Sequence, residues 1–270
     1  MRLLIFGPGY TATRLIARLA GHADIATVTR ETFADRAVDI ARATHILSTV
    51  PPGEDDPVLA AYGSEIAASG AWIGYLSSTG VYGDVAGAWV DERAPTGTGR
   101  RTTRARADVA WLALPNARVF RLPGIYGPGR SPLDRIRAGA AARIDVPGQV
   151  FSRVHVDDIV SGVIAGFDGP PGAYNLADDL PAPQSDVIAY GCALLGLPVP
   201  PLVPLEQANL SLQARAFYAE NRRVANGKAK RALGWTPRYA DYRLGLRALS
   251  ATTSPATTST APPAASADQR

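Results

Sequence analysis

Short apolar runs alternate with helical patterns along the first half of the chain. The apolar runs predict buried strands at residues 2–6, 25–29, 45–50, 72–77 and 118–122. Between them, apolar positions recur at helical spacing and predict helices at residues 12–20, 58–69 and 104–114. Because strands that alternate with helices over short connections favour a parallel sheet, we expect an α/β fold with a doubly wound parallel sheet.

The second half of the chain is less regular and rich in proline and glycine. Asp157 precedes apolar positions at helical spacing, so we expect it to cap a helix that ends near Phe167. A further strand is predicted at 173–176, and helices at 185–195, at 205–219 and near the C-terminus. These elements predict a small, less regular C-terminal subdomain beside the sheet.

Residues 250–270 are small, polar and rich in proline. Such a segment buries too little apolar surface to offset the loss of chain entropy, so we predict a disordered tail there. The remaining residues, 1–249, have the length of one large domain.

Composition and charge exclude several classes of function. The net charge of +4 comes mostly from scattered single arginines without aromatic residues between them, so we expect no nucleic-acid partner. Cys192 is the single cysteine and the three histidines are far apart, so we expect neither a disulfide within the chain nor a metal site. The N-terminal apolar run is too short for a signal peptide or a membrane span, so we expect a soluble protein of the cytoplasm.

A glycine turn follows the first predicted strand. Gly7 and Gly9 allow the backbone to turn tightly and to approach a pyrophosphate, and Ala12 still permits close packing of helix on strand. The amides of Tyr10 and Thr11 then begin the helix and face the phosphates. This strand-turn-helix context predicts a Rossmann-type dinucleotide site, and the alternative is a glycine turn that binds nothing.

The second predicted strand ends at Thr29 and Arg30, where NAD-binding sites usually place an acid for the ribose hydroxyls. Arg30 can instead pair with a 2′-phosphate, which favours NADP over NAD as the cofactor. The alternative is that Arg30 is only an exposed cation.

Five further segments appear in a fixed order, at residues 76–83, 121–129, 154–159, 174–178 and 233–237. With the glycine turn, they give the chain a resemblance to the extended short-chain dehydrogenase/reductases, the NAD-dependent epimerase/dehydratase family. The resemblance covers nearly all of residues 1–249. It implies that residues 123–151 and 177–249 contribute the substrate side.

The resemblance implies hydride transfer assisted by a tyrosine, by a lysine four residues later and by a Ser/Thr that binds the reacting oxygen. Ser78 matches the Ser/Thr position, but no tyrosine lies between Tyr82 and Tyr126 and no lysine precedes Lys228. Counting back from Asp108, a usual helix acid of the family, aligns Arg100 and Arg104 with the missing pair. The chain therefore resembles an atypical member, close to bacterial nucleoside-diphosphate-sugar epimerase-like proteins.

If the protein catalyses hydride transfer, a group other than Arg100 or Arg104 must supply the proton, because arginine stays protonated near neutral pH. Tyr82, Tyr126 and His155 are the candidates. The alternative for each tyrosine is packing beneath the cofactor, and for the histidine a hydrogen bond to the backbone.

The same resemblance implies further contacts. We expect the cofactor also to touch Val50, Pro51, Ser77 and Pro123. The substrate cleft is expected above the strand ends, at Thr79, Tyr82, Pro123, Tyr126 and Arg130. Because the folded part is short for the family, we expect a full UDP-sugar to fit poorly.

The leading hypothesis is an NAD(P)-dependent oxidoreductase or epimerase-like enzyme that acts on a small or nucleotide-linked substrate. The alternative is a non-catalytic NADP-binding sensor or scaffold, which the missing Tyr and Lys favour. Family members often form homodimers through helices such as 58–69 and 104–114, but the charged residues of the second helix make a homodimer here only a weak expectation.

Replacing Arg30 by alanine tests the cofactor preference. If Arg30 pairs with the 2′-phosphate, the ratio of the affinities for NADPH and NADH falls by at least tenfold, because a charge-assisted hydrogen bond contributes about 1.5–3 kcal/mol. Titration of both nucleotides into both proteins, followed by nicotinamide fluorescence, measures the ratio. An unchanged ratio would show that Arg30 is only an exposed cation.

Overall fold

A computed structural model describes residues 1–253 of the chain. Residues 254–270, the greater part of the predicted tail, lie outside the described residues. The described part contains a parallel sheet with helices on both faces, and a smaller group of elements beside its carboxyl edge.

Six strands form the central sheet: β1 (Arg2–Phe6), β2 (Asp24–Val28), β3 (His45–Ser48), β4 (Trp72–Ser78), β6 (Ala117–Leu122) and β10 (Gly172–Asn175). Their order is β10-β6-β4-β3-β1-β2, and every pair is parallel. The predicted doubly wound parallel sheet is therefore confirmed. Each of the five strands predicted in the first half lies within two residues of its expected bounds.

Short strands form three two-stranded pairs: β5 (Trp89–Val90) with β12 (Arg223–Val224), β7 (Gly124–Tyr126) with β9 (Arg153–His155), and β8 (Arg143–Asp145) with β11 (Leu202–Pro204). The helices are α1 (Tyr10–Leu19), α2 (Ala37–Arg42), α3 (Pro57–Ala68), α4 (Thr102–Leu112), α5 (Pro132–Arg137), α6 (Val156–Ala165), α7 (Gln184–Leu195), α8 (Leu212–Phe217), α9 (Gly227–Leu233) and α10 (Tyr242–Thr253). A 3-10 turn covers Thr79–Tyr82.

The alternation of side chains along the strands builds two cores. In β1, Leu3 and Ile5 face the core that α1 and α6 cover, whereas Leu4 and Phe6 face the core that α2, α3 and α4 cover. Because successive strand residues point to opposite faces, a strand covered on both faces must be apolar throughout. This requirement explains the unbroken apolar run that begins the chain.

A third core holds the C-terminal region together. Side chains of α5, α7 and α10 pack there, including Leu133, Ile188 and Leu246. The connections between these elements are longer and their strands shorter than in the sheet, as the irregular sequence predicted.

Three predicted features of this half need correction. Helix α6 begins at Val156, so the Nδ1 atom of His155, rather than Asp157, caps it by accepting from the Asp157 amide at 3.2 Å. The helix expected at 205–219 is shortened to α8, because Ser211 caps its start by accepting from the Ala214 amide. Helix α10 continues to Thr253, past the predicted start of the tail at residue 250.

No helix among residues 1–253 is long and apolar enough to cross a membrane.

Asp56 joins two helices on one face of the sheet. One carboxylate oxygen accepts the amides of Val58 and Leu59 at 3.0 Å, which caps α3. The other accepts the indole N–H of Trp111, a fully buried residue of α4, at 2.9 Å. One side chain therefore satisfies a helix start and a buried donor.

Replacing Asp56 by alanine should lower the free energy of unfolding by about 2–4 kcal/mol. Loss of the cap costs about 1 kcal/mol, and the unpaired indole N–H costs about 1–3 kcal/mol more. Urea unfolding measures the change. The neighbouring exposed Asp55→Ala should stay within about 0.5 kcal/mol of the wild type, and an equal loss in both variants would contradict this role of Asp56.

Candidate functional site

The sheet has a switch point between β1 and β3. From β1 the chain enters α1, which packs on one face, whereas α3 follows β3 and packs on the other face. At such a point the connections diverge and leave a crevice at the carboxyl ends of the strands, where open α/β sheets bind their ligands.

The predicted glycine turn lies at this crevice. Gly7 has a φ of +79°, and a β-carbon on it would lie 2.9 Å from Val50 Cγ2, so only glycine fits there without strain. Gly9 precedes α1, and the nearest atom to a β-carbon there would be 4.0 Å away. No side chain caps α1, so the amides of Tyr10 and Thr11 stay free for an anion.

The remaining predicted residues of the turn support it. Ala12 is fully buried against the sheet, as close packing of helix on strand requires. The Tyr10 hydroxyl donates to the Pro128 carbonyl at 3.0 Å and so ties the turn to the loop after β7. Thr49 donates to the Gly7 carbonyl from the end of β3.

The end of β2 carries a positive and a negative side chain next to each other. Arg30 is exposed, and Glu31 follows it. The Thr29 hydroxyl donates to a Glu31 carboxylate oxygen at 2.6 Å, and this hydrogen bond lowers the pKa of Glu31. An acid therefore does stand beside Arg30, one residue later than the position considered from the sequence.

A continuous cleft of about 1020 Å³ extends from the glycine turn along the strand ends to α8. Its volume is at the upper end of the range for ligand pockets. Predicted residues that line it are Gly9, Tyr10, Thr11, Pro51, Ser77, Ser78, Thr79, Pro123, Tyr126 and Arg130.

Ser78 ends β4 in this cleft. Its hydroxyl oxygen accepts the Gly80 amide at 3.1 Å, which fixes the side chain and leaves the hydroxyl hydrogen free to donate. A β-carbon on Gly80 would lie 3.3 Å from Ser78 Oγ and 3.4 Å from Arg101 Nε. The Ser78 hydroxyl and the Arg101 side chain therefore converge over Gly80.

Ser77 lines the cleft, but its hydroxyl is engaged within the protein. Its hydroxyl donates to Asp108 at 2.6 Å, and the same carboxylate forms a buried ion pair with Arg121 at 2.6 Å. Burial acts to lower the pKa of Arg121, but hydrogen bonds to Asp108 and the charge of Asp108 raise it above its ordinary value. This network joins β4, α4 and β6 beneath the cleft.

Tyr82 does not reach the cleft. Its hydroxyl donates to Asn175 at 2.7 Å and accepts from Arg121 at 3.0 Å, and burial raises its pKa to about 12. Because the Tyr82 hydroxyl is buried between these partners, it cannot contact a substrate in the cleft. The structure therefore does not place Tyr82 beside Ser78 as a proton donor.

Tyr126 and His155 pack against each other at the cleft floor, with ring centroids 5.2 Å apart. The Tyr126 hydroxyl is buried beside Gly245, and burial raises the Tyr126 pKa. Burial lowers the pKa of His155 to about 4, and its Nδ1 atom already caps α6. The Tyr126 hydroxyl is therefore buried away from the cleft, and His155 makes the hydrogen bond to the backbone that was its alternative to proton transfer.

Arg100 and Arg104, which align with the missing tyrosine and lysine, both line the cleft with Arg101 between them in sequence. Arg104 donates to the Tyr75 hydroxyl at 3.2 Å, and Arg100 lies 3.6 Å from Glu220. Within residues 1–253, no group of three or more His, Cys, Asp or Glu side chains is placed to hold a metal ion.

Comparison with known proteins places the chain in a family. No protein-family model matches it. A functionally unknown conserved protein from Silicibacter pomeroyi is 44% identical, with a TM-score of 0.84 over 93% of this chain and 98% of that one. The chain belongs to the same family as this protein.

More distant structures show the fold of this family. A human epimerase family protein solved with NADPH is 17% identical, with a TM-score of 0.72 over 93% of this chain and 99% of its own. dTDP-glucose 4,6-dehydratase from Bacillus anthracis, solved with NAD, is 16% identical, with a TM-score of 0.72 over 93% and 96%. The expected Rossmann-type fold is thus confirmed, and these epimerase and dehydratase structures share it.

A curated relative matches part of the chain. The 3-diazoavenalumate denitrifying reductase of a Streptomyces species is 30% identical over 154 residues, which are 53% of this chain and 48% of the reductase. The match with the chain therefore spans about half of that enzyme.

The sequence analysis gave no role to Arg101 or Phe217, which both line the cleft. Glu31 was passed over because it follows the strand end. The partner of the buried Arg121 could not be inferred from its strand, since Arg118 of the same strand is also buried and donates to the Gly169 carbonyl rather than to an acid.

Asp178 adds a buried titratable group near Tyr126. It is 2% exposed, and burial raises its pKa to about 8, although the charge of Arg153 and the backbone N–H groups of Leu180 and Arg153 act to lower it. The folded state therefore holds a proton that the unfolded state, with an aspartate pKa near 3.9, releases. The stabilisation of the folded state by this proton is complete at low pH and is lost as the pH rises through about 8.

Asp178→Asn should remove this pH dependence. Between pH 6.5 and 8.5 the wild type should lose about 2 kcal/mol of unfolding free energy more than the variant. Urea unfolding at the two pH values measures the difference, and the exposed Asp24→Asn should behave like the wild type. Equal pH dependence of wild type and Asp178→Asn would contradict the raised pKa.

Proposed function

We propose that the chain is an NADP(H)-preferring oxidoreductase that transfers hydride at a carbonyl or hydroxyl carbon of a small substrate. The observation that carries the proposal is the single cleft that joins the glycine turn at the switch point to Ser78 at the end of β4. Epimerases share the fold, but the Streptomyces relative is named as a reductase, which favours net reduction over epimerisation.

The residues present fit a dinucleotide. The pyrophosphate would be held by Gly9, Tyr10 and Thr11. There is open space beside the Gly9 backbone, and the amides at the start of α1 are free to bind an anion. Thr29 and Arg30 would hold the adenosine ribose and its 2′-phosphate. Along the cleft, Pro51 and Pro123 would contact the nicotinamide half, and Val50 supports the turn from beneath Gly7.

The bound dihydronicotinamide would supply the hydride to the substrate carbon. Ser78 orients the reacting oxygen, since its hydroxyl hydrogen is free and its oxygen is fixed by the Gly80 amide. Negative charge that develops on the substrate oxygen is stabilised by this donor and by the positive potential of the arginines nearby. Because arginine does not release its proton at neutral pH, water in the open cleft supplies the proton that completes the alcohol.

A second candidate function is dinucleotide binding without turnover. The absence of the tyrosine and lysine, with Arg100 and Arg104 in the cleft, favours it. Consumption of NADPH with any carbonyl substrate separates the two functions, because a sensor or scaffold would bind NADPH and leave it unchanged.

Gly9→Ala tests the cofactor site without disturbing the fold. The protein has room for the added methyl group, whose nearest neighbour would be 4.0 Å away, but the methyl would occupy the space that the pyrophosphate needs. We expect NADPH affinity to fall at least tenfold, with little change in the unfolding temperature.

The matched control is Gly63→Ala on α3, where a methyl group also has room and lies outside the cleft. Nicotinamide fluorescence gives the affinities. Weak NADPH binding by the wild type, or undiminished binding by Gly9→Ala, would contradict the proposed site.

A further inference from the structure

The start of α4 concentrates positive charge in the cleft. Arg100, Arg101, Arg104 and Arg222 all line it, as do the acids Glu220 and Asp134. One Glu220 oxygen accepts the Arg222 guanidinium at 2.9 Å, and the other accepts the Arg100 amide at 3.2 Å. This one carboxylate is therefore already engaged by two arginines.

Arg101 and Arg104 have no carboxylate within ion-pair distance among residues 1–253. Among residues 1–253, the partner of the Arg104 side chain is the neutral hydroxyl of Tyr75, whose pKa burial raises further, to about 12. Burial, and then the charges of Arg100 and Arg104, lower the pKa of Arg101. An anion placed between these two side chains would relieve that repulsion.

Arg101 packs on the turn after β4. A β-carbon on Gly80 would lie 2.8 Å from Arg101 Cδ and 3.3 Å from Ser78 Oγ, so the Arg101 side chain and the Ser78 hydroxyl both lie over Gly80. An anion bound to Arg101 would therefore lie in the part of the cleft that Ser78 lines.

Part of the cleft lining is apolar and consists of Leu210, Phe217, Ile144, Val150 and Phe151. The Phe217 ring lies 5.2 Å from the Arg100 guanidinium carbon and 5.5 Å from that of Arg101. An aromatic ring beside two guanidinium groups suits a flat apolar body that carries an anionic group.

We infer that the cleft takes a small aromatic or conjugated carboxylate, whose anionic group binds Arg101 and Arg104 while its apolar body lies along Phe217. This assignment rests on the proposed function, since it supplies the substrate class of the same site. Guanidinium groups bind carboxylates through paired hydrogen bonds, which gives the site a preference for a planar anion.

Calorimetric titration of the NADP⁺-loaded protein with 2-naphthoate and with its neutral counterpart 2-naphthamide tests the inference. We expect naphthoate to bind at least tenfold more tightly than naphthamide. Arg101→Gln should abolish this preference, and Arg101→Lys should keep part of it because the charge remains without the paired donors.

The control is Arg106→Gln on the same helix, whose side chain is exposed and bonded to the Glu54 carbonyl outside the cleft. It should keep the full preference. Equal binding of naphthoate and naphthamide, no binding of either, or a preference that survives in Arg101→Gln would overturn the inference. So would tighter binding of UDP than of naphthoate, since that would assign the arginines to a diphosphate. Thermal unfolding of each variant shows that it is folded.

A parallel titration with NADPH alone separates this inference from the proposed function. Tight NADPH binding without a preference for naphthoate would overturn the inferred carboxylate substrate but not the proposed oxidoreductase. Failure to bind NADPH would overturn the proposed oxidoreductase. Naphthoate titrated into the free protein would then still test the anion site.

Discussion

The buried ion pair between Asp108 and Arg121 is the interaction on which the cleft depends. It links α4 to β6, and Ser77 and Tyr82 attach β4 and the following turn to the same pair. A charge left alone at this depth would cost several kcal/mol, so the two side chains hold each other in place. The segment that carries Arg100, Arg101 and Arg104 is thereby fixed against the strand end that carries Ser78.

Much of the fold follows from local rules that the sequence displays. Strands buried on both faces must be apolar throughout, so β1, β3 and β4 could be predicted from their apolar runs. The glycine turn could be predicted because a dinucleotide site needs a strand before the turn and a helix after it. The C-terminal half was harder to predict, because its elements are short and their bounds depend on single caps. His155 and Ser211 decide where α6 and α8 begin.

The candidate site was predictable only where backbone geometry dictates residue type. Gly7, Gly9 and Ser78 lie where the motifs placed them. The roles of Tyr82 and Tyr126 depend on long-range partners such as Asn175 and Gly245, which no spacing in the sequence reveals. Arg101 was overlooked for the same reason, since its contacts with Gly80 and Phe217 join residues that are far apart in sequence.

A crystal structure of the protein with NADPH tests the central claim most directly. The account predicts the pyrophosphate against the amides at the start of α1, beside Gly9, and the nicotinamide ring within reach of the Ser78 hydroxyl. Density for the dinucleotide elsewhere, or a nicotinamide ring remote from Ser78, would contradict it.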